Sequence, residues 1–387
     1  VPREYVSEPD DSGQFGMALR WFAPFLGDTE FGFYYVKYHS RLPIISARTG
    51  TQGGWANAVA AGTTIAAYST PGSPTFLDPT GSVMTGAATG GALGATDPLG
   101  SAMGVLAVAA STGAEAASKV PAYITNLYSQ TASYIVEYPE DIELLGVSFN
   151  TNLAATGIAL QGEISHRIDM PLQVDDLELL LASLTPLAII SPAVLVNQLA
   201  PGGVDLETYI PGYILRDVTQ FQATATKVFG PTLGADTLAL IGEVAFTRVN
   251  DMPSKQSLRL EAAGTYTTGE PFHETAGVHP GKPANPKSAY PDAESWGYRL
   301  AGKLEYNNAI GPVTLVPRFS WQHDVSGITP GPGGNFIEGR KAITVGITAN
   351  YLNAWSADLS YTNYFGADRF NLIIDRDFVA ANIKYSF

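Results

Sequence analysis

Apolar residues recur at every second position in long segments of this chain. That period fits a strand with one apolar and one polar face, and it does not fit an amphipathic helix, whose period is near 3.6. In the closing stretch "FVAANIKYSF", Val379, Ala381, Ile383, Tyr385 and Phe387 share one face, with Ala380, Asn382, Lys384 and Ser386 on the other. Over 342–351 the apolar set is Ile343, Val345, Ile347, Ala349 and Tyr351, against Thr344, Gly346, Thr348 and Asn350. Over 355–365 it is Trp355, Ala357, Leu359, Tyr361 and Phe365, against Ser356, Asp358, Ser360, Thr362 and Tyr364. Segments 296–306 and 313–321 repeat the pattern, and 14–23, 157–167 and 238–247 keep it less cleanly. Segments 29–42, 143–152 and 213–229 read as strands whose facing the sequence leaves open.

These segments run about 9–13 residues, longer than a typical soluble strand and close to what a tilted strand needs to cross a bilayer. Aromatics sit near their ends on the apolar face, as in Trp296 with Tyr306 and Trp355 with Phe365. Aromatic girdles of this kind belong to transmembrane barrels. The composition agrees: 19 Tyr, 17 Phe and 40 Gly, with only 15% charged residues. The fold class expected is therefore all-β, an antiparallel transmembrane β-barrel forming a single domain over 1–387. A lipocalin-like barrel or β-sandwich would alternate in the same way, with its faces reversed.

Eleven strands are expected, at 12–24, 29–42, 142–152, 156–167, 213–228, 236–249, 294–308, 312–323, 338–351, 355–367 and 376–387. Short connections such as "PFLGDT" and "LNA" alternate with long ones at 43–141, 168–212, 250–293 and 324–337. Short turns belong to the periplasmic side and long loops to the extracellular side, and single-chain bacterial barrels have even strand numbers. Eleven is odd. The expectation is that this chain is the C-terminal portion of a larger barrel and would show unpaired edges by itself. "SYIVEY" (133–138) is a further strand candidate, but adding it alone would invert every later strand. The start, "VPREYVSEPDDSGQFG", has neither a basic nor an apolar signal-peptide region, so the chain reads as mature or as a fragment.

If the apolar faces meet lipid, the polar faces line a lumen. That places Arg20, Glu163, Arg167, Glu243, Arg299, Lys303, Glu305, Arg318, Asp358 and Lys384 inside. Both signs occur, so the set reads either as ion pairs that stiffen the interior or as a ring that tunes solute passage.

The net charge of −14 argues against a nucleic-acid partner. With no cysteine, disulfides and thiolate metal sites are excluded. No segment is apolar over the length a membrane helix needs. The Gly-rich "GPGGN" (331–335) sits between strands and is not a nucleotide loop. His273 and His279, with Glu274 nearby, have a spacing that matches no established ligand pair. His39 lies beside Ser40, but neighbours on a strand point to opposite faces, and no G-x-S-x-G elbow is present. No catalytic, cofactor or metal residue is assigned.

Three features of the long loops stand out. Residues 50–118 are rich in Gly, Ala, Ser and Thr and suit either a surface loop or a constriction folded into the lumen. "DDLELLLASL" (175–184) reads as a short helix capped by Asp175 or Asp176, with Leu177, Leu180, Leu181 and Leu184 on one face. With the Pro-interrupted apolar stretch to 199, it forms an insert that reads either as a lid packed on other loops or as an apolar entry site. Residues 269–294 are Pro-rich, polar and loop-like.

"EFGFYYVKYHSRLPIISA" (30–47), "YIVEYPEDIELLGVSFNTNL" (134–153) and "GIALQGEISHRIDMPLQVDDLELL" (157–180) resemble a proteobacterial, pseudomonad-type family of unknown function. The resemblance implies an outer-membrane barrel longer at its N-terminal side. It also implies a setting with a periplasmic lipid-carrier-like partner and an inner-membrane transporter of the RND type, hence the handling of lipids or other apolar molecules. The expected function is a passive outer-membrane conduit for small hydrophobic solutes in a Gram-negative bacterium, in contact with lipid and lipopolysaccharide. The alternatives are a barrel hydrolase, with His39 or His166 as its base, and a structural barrel with a plugged lumen.

Overall fold

The computed structural model describes residues 1–68, 114–276, 278, 279, 281–352 and 354–387. Fifteen strands form among them, in two sheets. The large sheet holds β2 (Phe15–Ala23), β3 (Thr29–Tyr38), β6 (Ile142–Leu153), β7 (Ile158–Gln173), β9 (Tyr213–Phe229), β10 (Thr237–Val249), β11 (Glu294–Ile310), β12 (Val313–Ser326), β13 (Lys341–Tyr351), β14 (Trp355–Phe365) and β15 (Phe378–Tyr385). The small sheet holds β1 (Arg3–Ser7), β4 (Ile44–Arg48), β5 (Ser133–Glu137) and β8 (Tyr209–Ile210).

The large sheet is an eleven-stranded antiparallel meander in which each strand pairs only with its neighbours along the chain. Its strands are the eleven read from the alternation. The sheet is not closed into a barrel: β2 pairs with β3 alone and β15 with β14 alone. β2 and β15 also run the same way, because eleven alternating strands begin and end in one direction. Joining these two edges would put a parallel pair into an otherwise antiparallel sheet.

All the short connections lie at one end of the sheet and all the long ones at the other. The short end turns through left-handed residues such as Gly27 with Asp28 and Leu233 with Gly234. The long end carries a cap. There the all-β expectation narrows to mostly β, because among the described residues three helices form in the long loops: α1 (Gln52–Tyr68), α2 (Ala114–Ser129) and α3 (Asp176–Ser183). A single turn, α4 (Phe272–Thr275), follows in the loop after β10. "SYIVEY" is a strand, but β5 joins the small sheet, so it leaves the direction of the large sheet unchanged.

Among the described residues, a large buried apolar cluster lies in the cap. Trp55, Val59, Ile124, Tyr128, Leu181, Leu187 and Val194 pack in one cluster. The insert at 185–199 therefore supplies core to α1 and α2, with Leu187, Ile190 and Val194 buried. That is the packing expected of a lid seated on other loops. The expected facing of α3 is corrected too. Leu179, Leu181 and Ala182 are buried while Leu180 is exposed, and Asp175 at the N-cap makes no capping hydrogen bond through its side chain. Residues 69–113, most of the small-residue stretch proposed as a constriction, lie outside the described residues. No helix among the described residues is long and apolar enough to cross a membrane.

Candidate functional site

Residues paired directly across strands lie on the same face of a sheet, so register fixes the facing of the whole meander. One path runs Leu19, Phe33, Val147, Ile164, Phe221, Phe246 and Trp296. Another runs Leu300, Trp321, Ile343. A third runs Phe319, Val345, Tyr361, Val379. The apolar sets of all eleven strands thus fall on one face, including those of β3, β6 and β9, whose facing the sequence leaves open. This face is exposed: Leu145 at 47%, Ile164 at 48%, Leu300 at 45%, Val345 at 48% and Leu359 at 53%.

The ten charged residues named from the sequence all fall on the opposite face. Arg20, Gly32, Ser148, Glu163 and Gln222 form one register row across five strands. Glu243 stands directly opposite Arg299, and Lys303 directly opposite Arg318. Glu305 pairs with Thr237, and Lys384 with Ser356.

Only some of these charges touch. Arg318 Nη2 donates to Asp358 Oδ1 at 2.9 Å, and Nη1 donates to Oδ2 at 2.5 Å. Thr348 donates to the same Oδ2 at 2.6 Å. This two-pronged pair spans a strand, since Arg318 is on β12 and Asp358 on β14. Gly346 of β13 lies beneath it, and a Cβ there would sit 2.9 Å from the guanidinium carbon. Arg20 and Glu30 approach to 3.9 Å, both well exposed. Arg167 bonds Gln220, and Glu243 accepts from Gln222 at 2.9 Å and from Thr224. Glu163, Arg167, Gln220, Gln222, Glu243 and Arg299 border a polar groove of about 440 Å³.

The neutral partners Gln220, Gln222 and Thr348 are not marked as site residues by their sequence. They sit at polar positions of their strands, but only the register brings them beside a charge.

This chain belongs to the DUF1302 family. The family model, described as a protein of unknown function, matches residues 1–387. Comparison with curated proteins and with solved structures returns no match.

The histidines are mostly bound to the backbone. His39 is buried, with Nε2 donating to Ser12 O at 2.8 Å and Nδ1 accepting from Asp141 N–H at 3.1 Å. His273 is buried, with Nε2 donating to Ala193 O and Nδ1 accepting from Thr268 Oγ1 at 2.8 Å. His279 Nε2 lies 3.0 Å from the same hydroxyl, so the two rings share a threonine. His166 Nδ1 lies 3.0 Å from Thr219 Oγ1, and its Nε2 is 3.9 Å from Asp217 Oδ2.

Proposed function

We propose that the large sheet is part of an outer-membrane β-barrel that acts as a passive conduit for small apolar solutes, in a Gram-negative bacterium. The carrying observation is the exposed apolar face, which runs over eleven strands, with charges such as Lys37, Glu143, Lys227 and Lys341 standing near strand ends. In water a face of that extent would be an aggregation liability, whereas hydrocarbon solvates it. The opposite face carries both charge signs with amides and hydroxyls, which suits a water-filled lumen. The ten charged residues then line the lumen, and the capped end faces outward.

In a bilayer the open edges of β2 and β15 need partners, because each unsatisfied backbone group in hydrocarbon costs several kcal/mol. Antiparallel closure between two strands of like direction takes an odd number of further strands. We infer that these come from the same polypeptide. Lipid and lipopolysaccharide would meet the apolar face. A periplasmic carrier and an RND-type inner-membrane transporter are the partners that the family resemblance suggests for apolar cargo.

The test is conductance and solute flux through the full-length gene product in planar bilayers and liposomes. Discrete channels whose ion selectivity shifts on Arg299→Glu support the conduit. A well-inserted protein with neither conductance nor flux, even after deletion of 69–113, supports the plugged structural barrel instead.

A barrel hydrolase has one observation in its favour, the Thr219–His166–Asp217 arrangement. Its His–Asp separation of 3.9 Å is too long for an orienting hydrogen bond. Lipase activity lost in His166→Gln would establish that reading.

A further inference from the structure

Asp175 is fully buried, and neither of its carboxylate oxygens has a hydrogen-bond partner. Burying such a group costs free energy unless something binds it. The chain places it with care nonetheless. Asp175 joins β7 to α3, and its N–H donates to Arg259 O at 3.0 Å. Val174 and Leu260 bridge beside it, and Glu261 N–H donates to Gln173 O at 2.9 Å. This short antiparallel pairing brings Glu261 to the start of α3, where its Oε2 accepts from Asp176 N–H at 3.0 Å.

One carboxylate oxygen from each of Asp175, Asp176 and Glu261 lies within 4.8 Å of the other two. Oxygens bound to one calcium ion at 2.3–2.6 Å lie at most about 5 Å apart. The local charge also lacks a cation. Arg259 is the nearby guanidinium, and it is taken by Glu178 at 2.7 Å and by Glu270. Among the described residues no ion pair reaches Asp175, Asp176 or Glu261, and Arg259 acts on Asp175 only at longer range. The donors are all oxygens, which suit a hard cation and not zinc or copper. Asp176 is exposed, so one side of the cluster faces solvent.

We propose that Asp175, Asp176 and Glu261 bind one calcium ion. The ion would clamp the β7–α3 junction to the 259–261 segment, and so fix the cap to the end of the sheet. This inference does not depend on what the sheet conducts.

The experiment uses the full-length protein in detergent, stripped with EDTA and titrated with calcium chloride by calorimetry, with magnesium chloride as comparison. One calcium per chain is expected, with a higher melting temperature when it is bound. Asp175→Asn and Glu261→Gln should each weaken binding by at least about tenfold, because affinity follows the number of charged ligands. If Asp175→Asn does not fold, Glu261→Gln carries the same comparison. No saturable calcium binding by the folded wild type overturns the proposal, as does equal binding by wild type and both variants.

Discussion

Arg318 reaches over an entire strand to meet Asp358, and the strand it crosses offers Gly346 at the crossing point. Lys303 stands directly opposite Arg318, so the pair also relieves a like-charge contact. Gly346→Val should push the guanidinium off Asp358. A double-mutant cycle on Arg318→Ala and Asp358→Ala should give a small favourable coupling at low salt, as for a solvent-accessible two-pronged pair. That coupling should shrink as salt is raised. The cycle is read from urea unfolding of the protein in lipid vesicles.

Leu300 and Ala301 are neighbours on opposite faces of β11. An arginine on a lipid-facing position near mid-bilayer costs about 2–4 kcal/mol. Leu300→Arg should therefore reduce insertion or stability by about that amount, and Ala301→Arg should cost little. Heat-modifiable migration on gels, which separates folded barrels from unfolded chains, is the readout.

Phe319 lies across Gly302 of the neighbouring strand. A Cβ on Gly302 would stand 2.6 Å from the ring and 2.8 Å from Leu240. Gly302→Ala should cost about 1–3 kcal/mol through this overpacking. Combining it with Phe319→Ala should cost less than the two changes summed, because the second removes the obstacle.

Arg259 and Glu178 are both buried in the cap, and Glu270 joins them. Removing one partner of a buried pair costs about 3–5 kcal/mol, since the other charge is left uncompensated. Arg259→Met should loosen the cap and leave the sheet in place. Rapid amide exchange over 176–183 and 259–262, with exchange in β12–β14 unchanged, is the expected pattern. Adding Glu178→Gln should restore part of the protection.

Burial holds the His273 imidazole below its usual pKa of 6.5, and the nearby His279 acts in the same direction. Its bond to Ala193 O and the carboxylates Glu178 and Glu270 oppose that shift without overcoming it. As pH falls below about 6.5, the unfolded chain takes up a proton that the folded chain resists. The stability contributed by this site is complete above that pH and is lost below it. Melting curves between pH 7.5 and 5.5 should fall less steeply for His273→Asn than for wild type.

The large sheet was legible because its period is the simplest that a sequence can carry. All eleven strands follow from alternation, and so do their faces except in β3, β6 and β9, where register supplies them; the ten charged residues, none of them on those three strands, land on one face for the same reason. Contacts were not legible. Nothing local to Arg318 says that it skips β13 to reach Asp358, because the route depends on register and on Gly346. The cap was legible only in fragments. Its core joins Trp55, Tyr128, Leu187 and Val194 from loops far apart in sequence, and strong apolar content without period does not say what packs on what. Leu180 shows the same limit within α3: the leucine run is apolar all round, and tertiary packing chose Leu179 and Leu181 for burial. Asp175 and Asp176 read as helix caps, and their meeting with Glu261 depends on a non-local bridge.

As the wall of a barrel, the large sheet would turn its apolar face to lipid and its charged face to water. The chain has no cysteine, so single cysteines can be placed without background. The most direct measurement is the labelling rate of single cysteines at 343–350 of β13, in the membrane-inserted full-length protein, by a charged, membrane-impermeant maleimide. Alternation is expected, with Thr344, Thr348 and Asn350 labelled and Ile343, Val345, Ile347 and Ala349 protected; a cysteine at Gly346 would sit under the Arg318 guanidinium. Uniform labelling, or alternation with the opposite phase, would contradict it.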